Sequence, residues 1–424
     1  MVKMKDSGIE WIGEIPEDWT ITKIKYISDK VGDGLHGTPI FSDDSEYFFI
    51  NGTNLGNKYI LIKENTQTVS ESEYLKYRLN LSNKTILLSL NGTIGNVSRY
   101  NNEKIILGKS AGYITINENN IYINYLIYFL KNPSVHFFYD LSMSGTTIKN
   151  LSLQTVRNLY ITIPTADSQK RIADFLDVKC AKIDSLKSDI EKQIESLEQY
   201  KKSVITEAVT RGINPDLKMK DSGIEWIGEI PEHWEIHPIY YYFEERKHKN
   251  SLCKEQNLLS LSYGNVIRKD INALGGLLPE SFNTYNIIEK DDIVIRPTDL
   301  QNDKRSLRTG LCKEHGIITS AYITLKPKKN VNSQFYHYLL HSYDIEKVFY
   351  NMGNGVRQGL NYSEFKKLLV ISPTFDEQKN IVEYLDSKCL SIDNIINSKK
   401  QQLEKLEEYK KSLIFEYVTG KKEI

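Results

Sequence analysis

Gly32-Asp33-Gly34-Leu35-His36-Gly37 matches the glycine spacing with which a strand-to-helix turn cradles a dinucleotide pyrophosphate. Thr38 and Pro39 follow, and no helical periodicity does, so a flexible loop is expected there and not a cofactor site. His337 and His341 would lie on one helical face, as two metal-binding imidazoles do. No Glu follows His337 and no clear third ligand appears, so the expectation is a packed or surface pair. Glu377-Gln378-Lys379 has the form of the nuclease ExK element, but it lies at a helix start with no Pro-Asp on a strand to share a Mg²⁺ ion. Asn132-Pro133-Ser134 and Asn214-Pro215-Asp216 approach the pocket motif of DNA amino-methyltransferases. Both lack the second proline and the aromatic ring that would stack on a flipped base. Neither a Walker A lysine motif nor a GxSxG elbow occurs. The cysteines Cys180, Cys253, Cys312 and Cys389 are widely spaced, which supports neither a zinc site nor a disulfide framework. The sequence therefore points to a chain with no catalytic centre, metal or cofactor of its own.

The 424 residues are enough for two to four structural units, and 40 % hydrophobic with 26 % charged residues suits a packed chain. No run of about 18 apolar residues exists to span a membrane. The first residues lack the apolar stretch of a signal peptide, so a cytoplasmic location is expected. Lys+Arg and Asp+Glu are both 55, so net charge alone suggests no nucleic acid. Local charge is less even. Residues 20–163 hold 14 basic and 11 acidic residues, and 235–372 hold 19 and 15, leaving 22 against 29 elsewhere.

The chain repeats itself. Met4 to Trp19 and Met219 to Trp234 differ only at Asp18 and His233. A second pair runs from Pro164 to Gly212 and from Pro373 to Lys421. In the first of these segments Leu176, Ile183, Ile190, Leu197 and Val204 recur every seventh residue. Leu385, Ile392, Leu406 and Leu413 do so in the other, with Lys399 interrupting. Ile194, Ile396 and Leu403 add a second apolar row. This is the pattern of a coiled-coil seam, in helices of about 40 residues and ~60 Å. An amphipathic helix packed on its own domain is the alternative, but two near-copies, each with a stripe to cover, favour pairing with each other.

The intervening blocks are rich in Ile, Tyr, Thr and Val, with Asn/Gly turns. Strands are expected at Thr85–Leu90, Tyr113–Ile116, Tyr160–Ile163, Asp292–Ile295, Ala321–Leu325 and Leu368–Ile371, and short helices near Asn124–Leu130 and Ser333–Leu340. Lys109 to Thr115 and Ile318 to Thr324 retain a faint likeness, so the blocks look like one fold with diverged surfaces. The fold class expected is α+β: two globular domains joined by two long antiparallel helices in pseudo-twofold arrangement. The divisions fall at residues 1–163, 164–213, 214–372 and 373–424.

These features resemble the specificity (S) subunits of type I restriction-modification systems. The resemblance rests on the doubled Gly-x-Ile-Pro-x-x-Trp (Gly13 to Trp19, Gly228 to Trp234) and on Pro-x-x-x-x-Gln-Lys at each helix head (Pro164 to Lys170, Pro373 to Lys379). Leu-Glu-x-Tyr-Lys-Lys-Ser (Leu197 to Ser203, Leu406 to Ser412) completes it. It covers essentially the whole chain, and the duplicated order is more specific than any single motif. It implies two target-recognition domains that each read one half of an asymmetric site on double-stranded DNA, with the helices fixing the unread spacer. It further implies two methyltransferase (M) subunits as partners, restriction (R) subunits in the full complex, and no membrane. Catalysis would belong to those partners. A coiled-coil scaffold that binds protein without DNA is the alternative.

The loop residues Asn51, Thr53, Asn54, Asn91, Thr93, Thr146, Thr147 and Lys149 are the DNA-contact candidates of the first half. In the second they are Asn265, Arg296, Thr298, Gln301, Lys304, Arg305, Arg357 and Gln358. Amides, hydroxyls and guanidinium groups can read base edges, and Lys and Arg can hold phosphates. Trp11, Trp19, Trp226 and Trp234 are all the tryptophans in the chain and lie in near-identical peptides. They are candidates for partner docking, or for stapling each domain to its helix.

Overall fold

The computed structural model describes residues 3–56, 58–117, 121–143, 149–271, 279, 281–298, 307–352 and 359–424. The chain forms two compact units, Met1–Ile190 with Lys400–Ile424, and Glu191–Lys399. Two helices dominate, Ala166–Arg211 with 46 residues and Phe375–Val418 with 44. At 1.5 Å per residue they are ~69 and ~66 Å long. Each gives its opening half to one unit and its closing half to the other.

The helix starts and stops are written locally. The Ser168 N–H donates to Thr165 Oγ1, and the Glu377 N–H to Thr374 Oγ1, which satisfies first-turn amides that have no helical partner. The ends are Gly212 and Gly420, with φ of +79° and +73°, the left-handed geometry that a glycine adopts freely. A side chain at Gly212 would press on the Trp234 ring, and one at Gly420 would strike Pro16 and Trp19.

The seam residues face inward. In the first unit Leu176 and Ile183, with Leu413, Ile414 and Val418 from the other helix, join the core. In the second, Val204, Ile205 and Val209 join Leu385. Within each unit the two helix halves run antiparallel. Lys187 pairs with Glu407 at 2.6 Å and Asp184 with Lys410 at 2.6 Å in the first, and Lys201 with Asp393 at 2.7 Å in the second. Lys399, which interrupts the heptads, donates through Nζ to Gln193 Oε1 at 2.5 Å.

Each unit repeats one sheet plan. In the first, a four-stranded antiparallel sheet runs in the order Ser28–Asp33, Ala111–Ile116, Thr85–Ser89, Val97–Arg99. In the second, the order is Phe243–Glu245, Ile323–Pro327, Ile293–Ile295, Thr309–Leu311. A strand after each repeated tryptophan closes the domain against its last strand: Thr20–Lys23 on Tyr160–Ile163, and Glu235–Pro238 on Leu369–Ser372. All six expected strand sites carry strands, and the short helices are Ile123–Leu130 and Ser333–Ile345. The fold is α+β in both halves.

A buried glutamine fixes each domain to the head of its long helix. Gln169 is 1 % exposed. Its Oε1 accepts from the Tyr122 N–H at 2.8 Å and its Nε2 donates to the Pro164 carbonyl at 3.0 Å. Gln378 repeats both bonds with the Asn332 N–H at 3.1 Å and the Pro373 carbonyl at 3.0 Å. Tyr122 and Asn332 cap the short helices, so one amide joins two helix starts. A Gln169→Ala or Gln378→Ala variant leaves a buried N–H and a carbonyl without these partners. The expected loss is ~1–3 kcal/mol for each, read by chemical denaturation. A change below about 0.5 kcal/mol at both would show the clamp to be dispensable.

Candidate nucleic-acid interface

In the first unit the expected reading loops meet at one end of the four-stranded sheet. The strand Thr85–Ser89 runs into Asn91 and Thr93, and Ala111–Ile116 starts beside them. The turn Gly52–Asn54 joins through a polar knot. The Asn51 N–H donates to Asn54 Oδ1 at 3.0 Å, and Asn54 Nδ2 donates to the Leu61 carbonyl at 3.1 Å. Ser110 Oγ donates to Asn51 Oδ1 at 3.0 Å and accepts from the Gly52 N–H at 2.8 Å. Thr93 Oγ1 donates to the Gly52 carbonyl at 3.0 Å. Asn91 forms an antiparallel bridge with Asn150, and the Leu151 N–H donates to the Leu90 carbonyl at 2.7 Å, so a third segment joins. Asn51, Asn54 and Thr93 thus hold the loops through their side chains and Asn91 through its backbone, while Thr53 and Thr93 are both exposed. Lys149 is exposed and reaches Asp140 at 3.4 Å. Thr146 and Thr147 lie outside the described residues.

The second unit uses different parts at the corresponding sheet end. Ser262 and Asn265 close a hairpin through Tyr263 and Gly264, both at positive φ (45° and 79°), as a tight two-residue turn requires. Tyr263 is 80 % exposed, and Asn265 Nδ2 donates to its carbonyl at 3.2 Å. Gly264 lies against Leu307, which brings the hairpin beside the next segment. There the Arg296 N–H donates to the Arg308 carbonyl at 2.8 Å, and the Leu360 N–H donates to the Pro297 carbonyl at 2.8 Å. Thr298 is exposed, and its carbonyl accepts from Arg308 Nη1 at 2.6 Å. Arg308 is fully buried, and its own N–H donates to Asp344 Oδ2 at 2.6 Å. Sequence reading missed Arg308 because an arginine beside a polar loop looks like a solvent-facing one. Gln301, Lys304, Arg305, Arg357 and Gln358 lie outside the described residues.

The tryptophans divide by burial. Trp19 is 6 % and Trp234 1 % exposed, each inside its own unit's core. Trp11 and Trp226 are half-buried. Trp11 packs on Phe138 with ring centroids 5.6 Å apart, and Trp226 meets Tyr343 edge-on at 4.5 Å. Burial gives Trp19 and Trp234 the stapling part, since each lies against the closing glycine of a long helix.

The remaining candidates are structural. Strand Ser28–Asp33 runs into Gly34, where a side chain would collide with the Leu107 carbonyl, so that glycine serves a close backbone approach. His337 and His341 are half-buried one turn apart, ring centroids 6.4 Å apart. Among the described residues no three His, Cys, Asp or Glu side chains gather as metal ligands. No described helix is long and apolar enough to cross a membrane.

A duplicated α+β scaffold with loops gathered at each sheet end and a long helix pair is the class defined so far. A family model described as type I restriction modification DNA specificity domain matches residues 16–196 and 282–408, and the chain belongs to that family as a type I restriction-modification specificity subunit. It is 27 % identical over 438 residues to a putative type I restriction enzyme MjaX specificity subunit of Methanocaldococcus jannaschii, covering 97 % of this chain and 95 % of that one. The MjaVIII specificity subunit of the same organism is 26 % identical over 440 residues, covering 96 % and 93 %. Among solved structures, a chain from a study of complex assembly and conformational transition of the type I R-M system superposes with a TM-score of 0.68 at 10 % identity. It covers 95 % of this chain and 98 % of that one. The HsdS subunit of Thermoanaerobacter tengcongensis gives a TM-score of 0.51 at 11 % identity, covering 96 % and 98 %. At such identity these structures support the fold.

Burial pushes the His337 and His341 imidazoles down to about 4, helped by His341 itself in the first case and by Lys201 and Lys202 in the second. The unfolded chain binds protons at these rings from about pH 6.5 downward. The folded chain does so only near pH 4, so their contribution to stability is lost as pH falls through that window. His315 works in the opposite sense: its hydrogen bond to Glu289 raises its pKa, so its contribution is present at low pH and lost as pH rises. Thermal melts at pH 7.5 and 5.0 should show a drop in wild type that shrinks in a His337→Gln/His341→Gln variant. An equal drop in both would refute the burial of these rings as its cause.

Proposed function

We propose that this chain selects the DNA sequence on which a type I restriction-modification complex acts, each unit reading one half of a split, asymmetric site. The helix pair sets the unread spacer between the halves. Two methyltransferase subunits dock on the chain, restriction subunits join the full complex, and the chemistry belongs to those partners.

One observation carries this reading. The scaffold is copied between the halves while the loops it presents are not. The strand order, the glutamine clamp, the closing glycines and the stapling tryptophans recur. At the sheet ends, one unit offers the Asn51–Ser110 knot with Thr53, Asn91 and Lys149, and the other offers the Tyr263 hairpin with Arg296 and Thr298. Constant parts suit constant partners, and diverged loops suit two different half-sites. Two modest readers tied to one rod gain affinity because binding by the first raises the effective concentration of the second. The mildly basic blocks supply the phosphate attraction that a neutral chain otherwise lacks.

Docking of two like partners is supported on the helices. Leu186 and Tyr409 are 44 % and 56 % exposed in the first unit. Their repeat copies Ile395 and Tyr200 are 45 % and 55 % exposed in the second. Each unit thus shows the same apolar and aromatic pair, a better docking face than the core-held Trp19 and Trp234. Trp11 and Trp226, both half-buried, remain candidates as well.

The test is exchange of residues 20–163 for the corresponding block of another family member, followed by genome-wide mapping of methylated adenines in a host carrying the M subunit. One half-site should change and the other stay. A change in both halves, or in neither, would contradict the modular reading.

A further inference from the structure

The twelfth residue of each long helix is an aspartate, Asp177 or Asp386, next to a fully buried leucine, Leu176 or Leu385. Tyr128 Oη donates to Asp177 Oδ1 at 2.8 Å, and Tyr338 Oη donates to Asp386 Oδ1 at 2.7 Å. The tyrosines occupy matching places on the short helices Ile123–Leu130 and Ser333–Ile345. Each aspartate then takes a second donor. Lys58 Nζ reaches Asp177 Oδ2 at 2.7 Å, and Gln334 Nε2 reaches both oxygens of Asp386 at 2.7 and 2.9 Å. One carboxylate, two donors from the recognition domain and a fixed helix position recur in both halves.

The bond lies nearly two helical turns further along the short helix than the glutamine clamp, and about two turns further along the long one. Added to the shared core, two separated polar attachment points resist pivoting of the domain on its helix better than the glutamine clamp alone. In the first unit the brace also reaches the reading loop. Lys58 belongs to the segment that follows the Gly52–Asn54 turn. That segment is sewn to strand Val97–Arg99, with the Gly56 N–H donating to Ser98 Oγ at 3.3 Å and Ser98 Oγ to the Tyr59 carbonyl at 3.1 Å. In the second unit both donors come from the short helix, so the hairpin of Tyr263 is braced less directly. Burial holds the Tyr128 and Tyr338 hydroxyls well above the ordinary phenol range, so both remain donors.

We infer that Asp177 and Asp386 are positioning residues that fix the angle at which each recognition domain leaves the helix pair, and thereby the stringency of the spacer. The inference rests on the bipartite reading proposed above. A carboxylate at this point touches no base; it acts through the rigidity of the domain it braces.

The experiment uses the full chain with its M subunits and duplexes carrying the mapped half-sites at the native spacer and at spacers one and two base pairs shorter or longer. For Asp177→Ala/Asp386→Ala the preference for the native spacer over the shifted ones should fall at least fivefold. The penalty for a base change inside either half-site should stay as in wild type. Asp177→Asn/Asp386→Asn keeps an acceptor for each tyrosine and should restore most of the preference. Tyr128→Phe/Tyr338→Phe removes only two hydroxyls and serves if the alanine variant does not fold; it should loosen the spacer in the same way. Wild-type spacer preference in a folded alanine variant, or in the phenylalanine variant, overturns the inference. Absence of any spacer preference in wild type would instead overturn the bipartite reading itself.

Discussion

Each compact unit is completed by the closing half of a helix that starts in the other one. Without Leu413, Ile414 and Val418 the first core would lose one wall, and without Val204, Ile205 and Val209 the second would. The dependence includes polar groups. The Val418 carbonyl at a helix end, where no intrahelical partner exists, accepts from Tyr125 Oη at 3.1 Å and Thr162 Oγ1 at 2.8 Å. Thr206 Oγ1 and Ser342 Oγ share a 3.3 Å bond in the second unit. Neither domain has a full core until the antiparallel pairing exists, so selection on the helices is selection on both domains.

Apolar burial and ion pairs divide the work of that pairing. Each buried Leu, Ile or Val contributes roughly 1.5–3 kcal/mol, against ~0–1 kcal/mol for a half-exposed ion pair. The ion pairs therefore serve register more than strength. Asp184–Lys410 and Lys201–Asp393 are repeat copies of each other, each a short bridge between antiparallel helix halves. A slip of one residue would separate both. Lys187 holds the Glu407 carboxylate below its usual range, which adds a third register mark in the first unit.

What was legible in the sequence is what repeats or has a period. The duplication, the seam, the two helix ends and the strand sites all follow from spacing. The long-range partners do not. Lys58 and Asp177 are 119 residues apart, and nothing in either peptide names the other. The head-of-helix glutamine is visible as a motif, yet its task, to join Tyr122 or Asn332 to Pro164 or Pro373, needs the tertiary fold. Asn51 and Asn54 are DNA-contact candidates because amides can read base edges, with turn chemistry as the alternative use. Turn chemistry claims those same amides first, which leaves Thr53 as the exposed member of that turn. Trp19 and Trp234 were ambiguous for a related reason: a repeated tryptophan suits a repeated partner and a repeated core equally well.

Because each long helix contributes to both cores, an insertion that keeps both seams in register must be made in both helices. Seven residues added after Lys187 and seven after Leu406 preserve the heptad seam and lengthen each helix by ~10 Å. At ~3.4 Å per base pair that is about three base pairs. The decisive measurement is the methylated site of this doubly extended chain assembled with its M subunits. If the helix pair sets the distance between half-sites, both half-site sequences stay as they were and the spacer between them grows by about three base pairs. An unchanged spacer in a chain that still assembles and methylates would contradict it.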